Sequence, residues 1–422
     1  MGSTKKQVAL CTLGTIFEWY EFTVFASLTP IISQLFFPRS NHLEAMMSTF
    51  AIFASGYIMR PLGAFFFGHV GDTLGRKYTL LITIFFMAGA TLCIGLIPVG
   101  TSFSTLALVI CRLAQGFSTS GEYPGGLALL SEQTNQTRKG LITSFGIFGT
   151  GVGCFLGALV YAITLKYLGY EAMLNGGWRI PFLLAGPLGV LSFLLRKSIF
   201  ESREFNHIKE QGLIHRMPIK LLLTQHTKNL AVMLCISTLT NTLVYMNLLY
   251  FSSYTVSIHK LNTEDAMRLY LWVTFVYSIS VLGFGFLSDY FDKKRMIMVG
   301  CALIVCFAYP LFKMILGSQV DMQFFAQGLI SVFLGMILGP FSSVLAESFP
   351  TAVRYTGMSI TLNMAASLFG GTAPMISGWL TQYFHTPLAP AFYIVLIAII
   401  ALGAITSMMF SPSTRILSTE TL

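Results

Sequence analysis

Twelve apolar stretches divide this 422-residue sequence, and each is long enough to cross a membrane as a helix. A helix of about 20 residues spans a hydrocarbon layer roughly 30 Å thick. The stretches fall at 8–37, 46–67, 79–98, 103–131, 141–165 and 178–196, and then at 228–257, 269–288, 296–316, 322–347, 356–384 and 388–410. Only 10% of the residues are charged, against about 25% in soluble domains. The sequence therefore predicts an all-α membrane protein with twelve transmembrane helices.

The positive charge predicts the orientation of these helices. A net charge of +9 would suit a nucleic-acid-binding surface, but no soluble module accompanies the apolar stretches. Of the 26 Lys and Arg residues, 18 lie in the termini and in the loops on their side, among them all seven from 196 to 228. Because cytoplasmic loops carry the positive excess, we expect a bacterial-type cytoplasmic (inner) membrane protein with both termini on the cytoplasmic side. The predicted parts are a six-helix bundle (1–196), a cytoplasmic loop (197–227) and a second six-helix bundle (228–422), in a monomer.

The two halves repeat each other at a nearly fixed offset. Gly68 and Asp72 recur 217 positions later as Gly285 and Asp289. Three further pairs share offsets of 215 to 217: Glu132 with Glu347, Arg138 with Arg354, and Gly140 with Gly357. Repeated halves around a midplane site are typical of carriers that work by alternating access. This favours a transporter over the alternatives from other classes, a membrane receptor or a membrane enzyme.

The stretch GHVGDTLGRK (68–77) resembles the loop motif of the major facilitator superfamily, with Thr73 in place of the usual basic residue. EWYEF (18–22), RLAQGFSTSGEYPGG (112–126) and ESFPTAVRYTG (347–357) are similar to the metabolite:proton symporter family. The resemblance runs from about residue 14 to residue 385. It implies a twelve-helix carrier of two bundles that couples proton entry to uptake of an organic acid, amino acid or betaine.

Charged residues deep within the spans occur only in the first half of the sequence. They are Glu18, Glu21, Arg60, Arg112 and Glu122. Ionisable groups inside a membrane are costly and usually pair with one another or line a water-filled cavity. We therefore expect the glutamates to face an interior that contains Arg60 or Arg112, which this reading makes the only deep cations.

The spacing of these charges supports proton handling. Glu18 and Glu21 share one face of the first helix, and Arg112, Gln115, Thr119 and Glu122 share one face of the fourth. Desolvation favours a neutral carboxyl and an approaching guanidinium favours the ionised one, so such a group can take up and release a proton. We expect proton coupling at Glu21, Glu18, Arg112 and Glu122, a role that the resemblance also implies for Arg112. The alternative is a static lattice of charges that fixes helix packing.

The second half offers neutral polar groups instead. Thr238, Asn241 and Tyr245 share a face of the seventh span, and Ser359, Asn363 and Ser367 share one of the eleventh, just before GGTAP (370–374), which can break the helix. Such groups either bind substrate or join helices. The predicted substrate-binding residues are Arg60, Arg112, Gln115, Asn241, Tyr245 and Asn363.

The motif at 68–77 also predicts a gating latch at the cytoplasmic side. Its residues are Gly68, Asp72, Gly75, Arg76 and, in the second half, Asp289. A carboxylate such as Asp72 can bind a helix N-terminus or an arginine. The alternative is that the positive charge of the loop serves only as a topology signal.

We therefore predict a proton-coupled symporter that imports a small, carboxylate-bearing metabolite. The alternative is an exporter of drugs or metabolites. No metal, cofactor or nucleotide site is expected, because GxxxxGK[ST] and zinc spacings do not occur. About a dozen residues follow the last span, which favours a nutrient over a betaine as substrate.

Overall fold

The computed structural model describes residues 2–37, 42–101, 103–134, 136–251, 263–317 and 319–410, most of them helical. The helices of eight or more residues in these ranges are numbered in chain order. Helices α1 to α8 are Gly2–Phe36, His42–Thr73, Arg76–Leu96, Ser104–Glu132, Lys139–Leu168, Arg179–Arg196, Arg203–Glu210 and Pro218–Gln225. Helices α9 to α15 are Thr227–Tyr245, Thr263–Leu287, Lys293–Ile315, Val320–Glu347, Arg354–Ala365, Ala373–Tyr383 and Ala389–Phe410.

Nine helices of the described ranges are long and apolar enough to cross a membrane. They correspond to the predicted spans except 8–37, 103–131 and 356–384. The first two of these are the long helices α1 and α4, which carry the polar stripes. The third is divided into α13 and α14. The protein is therefore all-helical, and the count of twelve transmembrane helices stays a prediction.

The break between α13 and α14 coincides with the predicted GGTAP stretch. Residues Ala366–Gly370 form a wider turn, in which the Gly371 amide donates to the Ala366 carbonyl, five residues back, at 2.8 Å. Pro374 then occupies the first turn of α14, where its missing N–H costs no hydrogen bond.

The motif at 68–77 is mostly helical, not a loop as the sequence suggested. Helix α2 continues to Thr73 and α3 begins at Arg76, so only Leu74 and Gly75 connect them. Gly75 has φ +116°, a conformation open to glycine and strained for other residues. Asp72 and Arg76 consequently face each other across a two-residue connection.

The described residues form two compact units. Unit 1 comprises Met1–Asn135, Phe145–Leu222 and Pro350–Asn363. Unit 2 comprises Gln136–Ser144, Leu223–Phe349 and Met364–Leu422. Each unit therefore contains a short segment from the other half of the sequence.

Glycines let α5 pack closely on α1 within unit 1. A β-carbon at Gly149 would lie 2.9 Å from the Thr12 carbonyl oxygen, and one at Gly157 would lie 2.9 Å from that of Tyr20. Contacts this short exclude larger residues at these positions. The Tyr20 hydroxyl, on the same helix, donates to the Pro181 carbonyl of α6 at 2.9 Å. These contacts fix α1, and with it the two glutamates of EWYEF.

Candidate functional site

Glu18 and Glu21 are both buried in unit 1, with only 4% and 3% of their surfaces exposed. They line one cavity with Arg60 and Arg112, as the pattern of charges predicts. The cavity is bordered by α1, α2, α3 and α4 through Glu18, Trp19, Glu21, Phe22, Gly56, Tyr57, Arg60, Met87, Arg112, Gln115, Gly116 and Thr119. The glutamates therefore face a charged interior and not lipid.

Gln115 connects Arg112 to Glu21. The Arg112 Nη1 atom donates to Gln115 Oε1 at 2.9 Å, and Gln115 Nε2 donates to Glu21 Oε2 at 3.3 Å. The same amide nitrogen donates to Thr91 Oγ1 at 2.6 Å. Arg112 thus acts on Glu21 through a neutral amide, not through a direct ion pair.

Two aromatic rings hold the Arg112 guanidinium. Its central carbon lies 4.2 Å from the ring centroid of Phe25 and 4.9 Å from that of Phe53. Such cation–π contacts stabilise a buried guanidinium without neutralising its charge. Arg112 Nε, also buried, has no hydrogen-bond partner among the described residues. The arginine therefore keeps its positive charge and one donor available.

Each glutamate retains one buried oxygen without a hydrogen bond. These atoms are Glu18 Oε2 and Glu21 Oε1. Arg60, whose guanidinium lies 4.9 Å from the Tyr57 ring centroid, borders the same cavity as Glu18. An ionised carboxylate with a vacant acceptor is costly in a buried site, and protonation lowers that cost. Both groups are therefore suited to hold a proton.

Glu122 lies apart from this cavity and pairs with Arg196. Arg196 Nη1 donates to Glu122 Oε2 at 2.6 Å, and Arg196 Nη2 donates to Oε1. Both residues are 1% exposed. The sequence placed Arg196 with the cytoplasmic loop and did not predict its burial against Glu122. Arg196 is the last residue of α6, and an amphipathic pattern that ends on a basic residue does not reveal whether that residue is buried.

Asn363 and Ser359 join α13 to α4 in unit 1. The Asn363 amide donates to the Ser120 carbonyl at 2.9 Å and to the Ser359 carbonyl at the same distance. The Ser359 hydroxyl donates to the Ser120 carbonyl at 2.8 Å. In this structure, these polar groups serve as interhelical contacts.

Asn241 and Tyr245 lie on α9 in unit 2. The Asn241 amide donates to the Ser237 carbonyl, one turn back, at 2.9 Å. Tyr245 is 2% exposed and packs its ring on Gly370. Both predicted residues thus share one helical face of α9.

A buried amide cluster in unit 2 was missed from the sequence. Asn247 Nδ2 donates to Ser331 Oγ at 2.8 Å, and Ser331 lies one turn after Gln327 on α12. Both amide atoms of Gln327 and Oδ1 of Asn247 have no partner in the described part of the chain. Gln327 stands 215 positions after Arg112, an offset that the repeat already contains, so the repeat could have identified it.

Asp72 holds the N-terminus of α13. Its two oxygens accept hydrogen bonds from the backbone amides of Tyr355 at 3.1 Å and Thr356 at 2.9 Å. Arg76 Nη1 lies 3.3 Å from Asp72 Oδ1. The first amides of a helix are unsatisfied and partly positive, so a carboxylate there is stabilising.

Arg76 and Arg354 share the carboxylate of Glu132. Arg76 donates two hydrogen bonds to Glu132, from Nε at 3.1 Å and from Nη2 at 2.9 Å. Arg354 Nη1 donates to Glu132 Oε1 at 3.0 Å and to Glu204 Oε2 at 2.5 Å. Glu201 also accepts from the backbone amide of Arg76 at 3.1 Å. The two glutamates from the predicted cytoplasmic loop were not anticipated as parts of this network.

Unit 2 repeats this arrangement around Asp289. Its oxygens accept hydrogen bonds from the amides of Gly140 at 2.7 Å and Leu141 at 3.1 Å, in the first turn of α5. Lys293, 217 positions after Arg76, donates to Glu347 at 2.9 Å. The predicted latch residues Asp72 and Asp289 therefore occupy equivalent positions.

Close packing explains the glycines of the predicted latch. A β-carbon at Gly68 would come within 2.9 Å of the Thr356 α-carbon, so a larger residue would displace α13. Gly75 is needed for its positive φ and for contact with Glu201. Both glycines allow α13 and the loop after α6 to approach α2 and α3.

The sequence matches a family profile and known transporters along most of its length. A family profile described as the Major Facilitator Superfamily matches residues 11–371. A proline/betaine transporter from Salmonella typhimurium is 31% identical, over 95% of this chain and 82% of the relative. A putative proline/betaine transporter from Staphylococcus aureus strain COL is 33% identical, over 96% of this chain and 88% of the relative.

Solved structures share the fold. The proton:xylose symporter XylE bound to 6-bromo-6-deoxy-D-glucose superposes with a TM-score of 0.78 at 17% identity. The match covers 97% of this chain and 96% of the other. The family profile, the relatives and the fold agree, and this chain belongs to the Major Facilitator Superfamily.

Proposed function

We propose that this protein imports small zwitterions of the proline and betaine type, together with protons. The observation that carries the proposal is the cavity of unit 1, which combines two buried carboxyls with two guanidinium groups and three aromatic rings. The two relatives described above, a proline/betaine transporter and a putative one, support the same substrate class. Both relatives favour proline- and betaine-type substrates over the nutrient predicted from the sequence.

A zwitterion complements both charges of this cavity. Its carboxylate would bind Arg60 or Arg112, since guanidinium groups hold carboxylates through paired hydrogen bonds. Its cationic nitrogen would contact the rings of Trp19, Phe22 or Tyr57, because aromatic faces attract ammonium groups. A drug exporter has no comparable need for both charges at one site.

Glu21 is the proposed proton carrier, with Glu18 as its partner. Glu21 has one oxygen held by Gln115 and one without a hydrogen bond, so it can bind a proton without breaking an ion pair. Two carboxyls one turn apart disfavour double ionisation and can share a proton. Arg112 is linked to Glu21 through Gln115. Binding of a substrate carboxylate at Arg112 would therefore change the electrostatic environment of Glu21.

Asp72 and Asp289 are the proposed gating residues. Each binds the first turn of a helix that comes from the opposite half of the sequence. Alternating access requires such contacts to form in one state and break in another. We further propose that the protein works as a monomer in the bacterial cytoplasmic membrane, with both termini in the cytoplasm.

The direct test is uptake into proteoliposomes of the purified protein. We expect radiolabelled proline or glycine betaine to accumulate when the outside is made more acidic than the inside, and a protonophore to abolish the accumulation. Protein-free liposomes are the control. Uptake that ignores the pH gradient would contradict proton coupling, and the absence of transport of any zwitterion would contradict the substrate class.

A further inference from the structure

The Glu122–Arg196 pair is an ionic cluster in the interior of unit 1, in which only Nε of Arg196 lacks a hydrogen-bond partner among the described residues. Besides the two bonds from Arg196, Glu122 Oε2 accepts a hydrogen bond from Thr83 Oγ1 at 2.8 Å. Arg196 Nη1 also donates to the Leu80 carbonyl at 3.1 Å. Both carboxylate oxygens of Glu122 therefore accept hydrogen bonds, whereas Glu18 and Glu21 each have one oxygen without a partner among the described residues. The pair connects α3, α4 and α6.

Helix α1 passes directly over this pair at Gly14. A methyl group at position 14 would overlap the Arg196 guanidinium and the Glu122 carboxylate. Gly14 lies one helical turn before Glu18, on the same face. Residues so related have β-carbons about 5–6 Å apart, so the ion pair lies close to the Glu18 carboxyl.

Glu18 consequently has two groups of charges nearby. Arg60 of α2 borders the same cavity, and Glu122 of α4 and Arg196 of α6 pack against its own helix at Gly14. Glu21 of its own helix and Arg112 of α4 border the same cavity. In α3 and α5, the other helices packed on α1, the charged residues are Arg76, Lys77, Lys139 and Lys166, all at helix ends.

We propose that the Glu122–Arg196 pair is a positioning element for proton coupling, whose two opposite charges balance each other beside Glu18, and that this balance holds the pH at which Glu18 takes up and releases the coupled proton. This inference rests on the proposed function, in which Glu18 and Glu21 share that proton. It gives Glu122 a supporting role and adds Arg196 to the residues that determine coupling.

Three variants test the proposal: Glu122→Gln, Arg196→Gln and the double variant. Glutamine carries no charge; it keeps the approximate size of Glu122 and leaves a shorter amide donor at position 196. In Glu122→Gln, the unbalanced Arg196 favours ionised Glu18, so the pH midpoint of proton-driven uptake should fall. In Arg196→Gln, the unbalanced Glu122 favours protonated Glu18, so the midpoint should rise. Each shift should be of the order of one pH unit.

The double variant and Thr83→Val are the matched controls. The double variant restores neutrality, so its midpoint should return close to that of the wild type. Thr83→Val removes a hydrogen bond to Glu122 without changing charge, and its midpoint should also stay close. Should a single variant fail to fold, Arg196→Lys retains the charge with altered geometry: its midpoint should stay close to that of the wild type, and a large shift would overturn the proposal.

The measurement is the initial rate of uptake against pH, beside substrate exchange at equal pH on both sides. Opposite shifts in the two single variants, with exchange retained, support the proposal. Shifts in the same direction, or none, overturn it and leave the pair as a packing element. If wild-type uptake itself ignores the pH gradient, the proposed function fails and this inference falls with it.

Discussion

At the scale of single residues, Arg60 and Arg112 are the proposed partners of the substrate carboxylate. Arg112 is held by Gln115 and two rings, so its charge is not neutralised by a direct carboxylate partner. Arg60 borders the same cavity. A substrate carboxylate is therefore expected to complete the site.

We predict that Arg60→Gln and Arg112→Gln weaken binding of proline at least about tenfold more than binding of prolinamide, in which an uncharged amide replaces the carboxylate. A charge-assisted hydrogen bond contributes about 1.5–3 kcal/mol, and only the acid can use it fully. Titration of the purified protein with both ligands measures the difference. Equal losses for the two ligands would instead assign the arginines to packing or to proton handling.

Gln327 is the residue of unit 2 whose burial most needs an explanation. Both of its amide atoms lack a partner in the described ranges, although the residue is fully buried. An unpaired buried polar atom costs about 1–3 kcal/mol. A group with this cost is expected to be used during the transport cycle.

Gln327→Leu should therefore make the protein more heat-resistant and slow its transport. Leucine has a similar volume and removes two unpaired atoms. Gln323→Leu, one turn earlier on α12, is the matched control, because Gln323 donates to the Gly317 carbonyl at 2.8 Å and should not be stabilised to the same extent by the change. Melting curves and uptake rates are the measurements. A destabilised Gln327→Leu protein with normal uptake would show that the amide is structural.

At the scale of elements, the N-termini of α13 and α5 are the parts proposed to move. Each is held by a single aspartate, and in unit 1 Glu132, Arg76 and Arg354 add an ionic network. Replacement of Asp72 by asparagine removes one of its two accepted hydrogen bonds and its ionic contact with Arg76.

We predict that Asp72→Asn slows transport and raises the exposure of cytoplasmic-side positions, while the protein still reaches the membrane. A reporter cysteine in the first turn of α13 would measure that exposure by its labelling rate. The control is Asp292→Asn. Asp292 is exposed and caps α11 by accepting a hydrogen bond from the Arg295 amide at 2.7 Å, and asparagine caps equally well. Unchanged labelling together with normal uptake would remove the latch from the account.

Helical periodicity explains which parts of the site were predictable. The 3.6-residue period placed Glu18 and Glu21 on one face and Arg112 and Gln115 on another, and the structure brings all four to one cavity. The helical course of residues 68–73 and the burial of Arg196 were not predictable in this way. Both depend on tertiary contacts at helix ends, where a polar residue looks the same whether it meets water or a partner.

At the scale of the whole molecule, the two repeats share a framework but differ in chemistry. Asp72 and Asp289 bind equivalent helix N-termini, and Arg76 and Lys293 bind equivalent glutamates. The deep charges, in contrast, belong to the first half, and a neutral amide, Gln327, stands where the repeat places Arg112. We therefore assign proton handling to unit 1.

The most direct test of this assignment compares two activities of Glu21→Gln in the same proteoliposomes. Glutamine preserves size and most hydrogen bonds but cannot carry a proton. We expect pH-gradient-driven accumulation of substrate to be lost, while exchange of internal for external substrate continues at near the wild-type rate. Glu18→Gln, measured in parallel, shows whether the pair shares the proton. If Glu21→Gln still concentrates substrate against its gradient, Glu21 is structural and the central claim is contradicted.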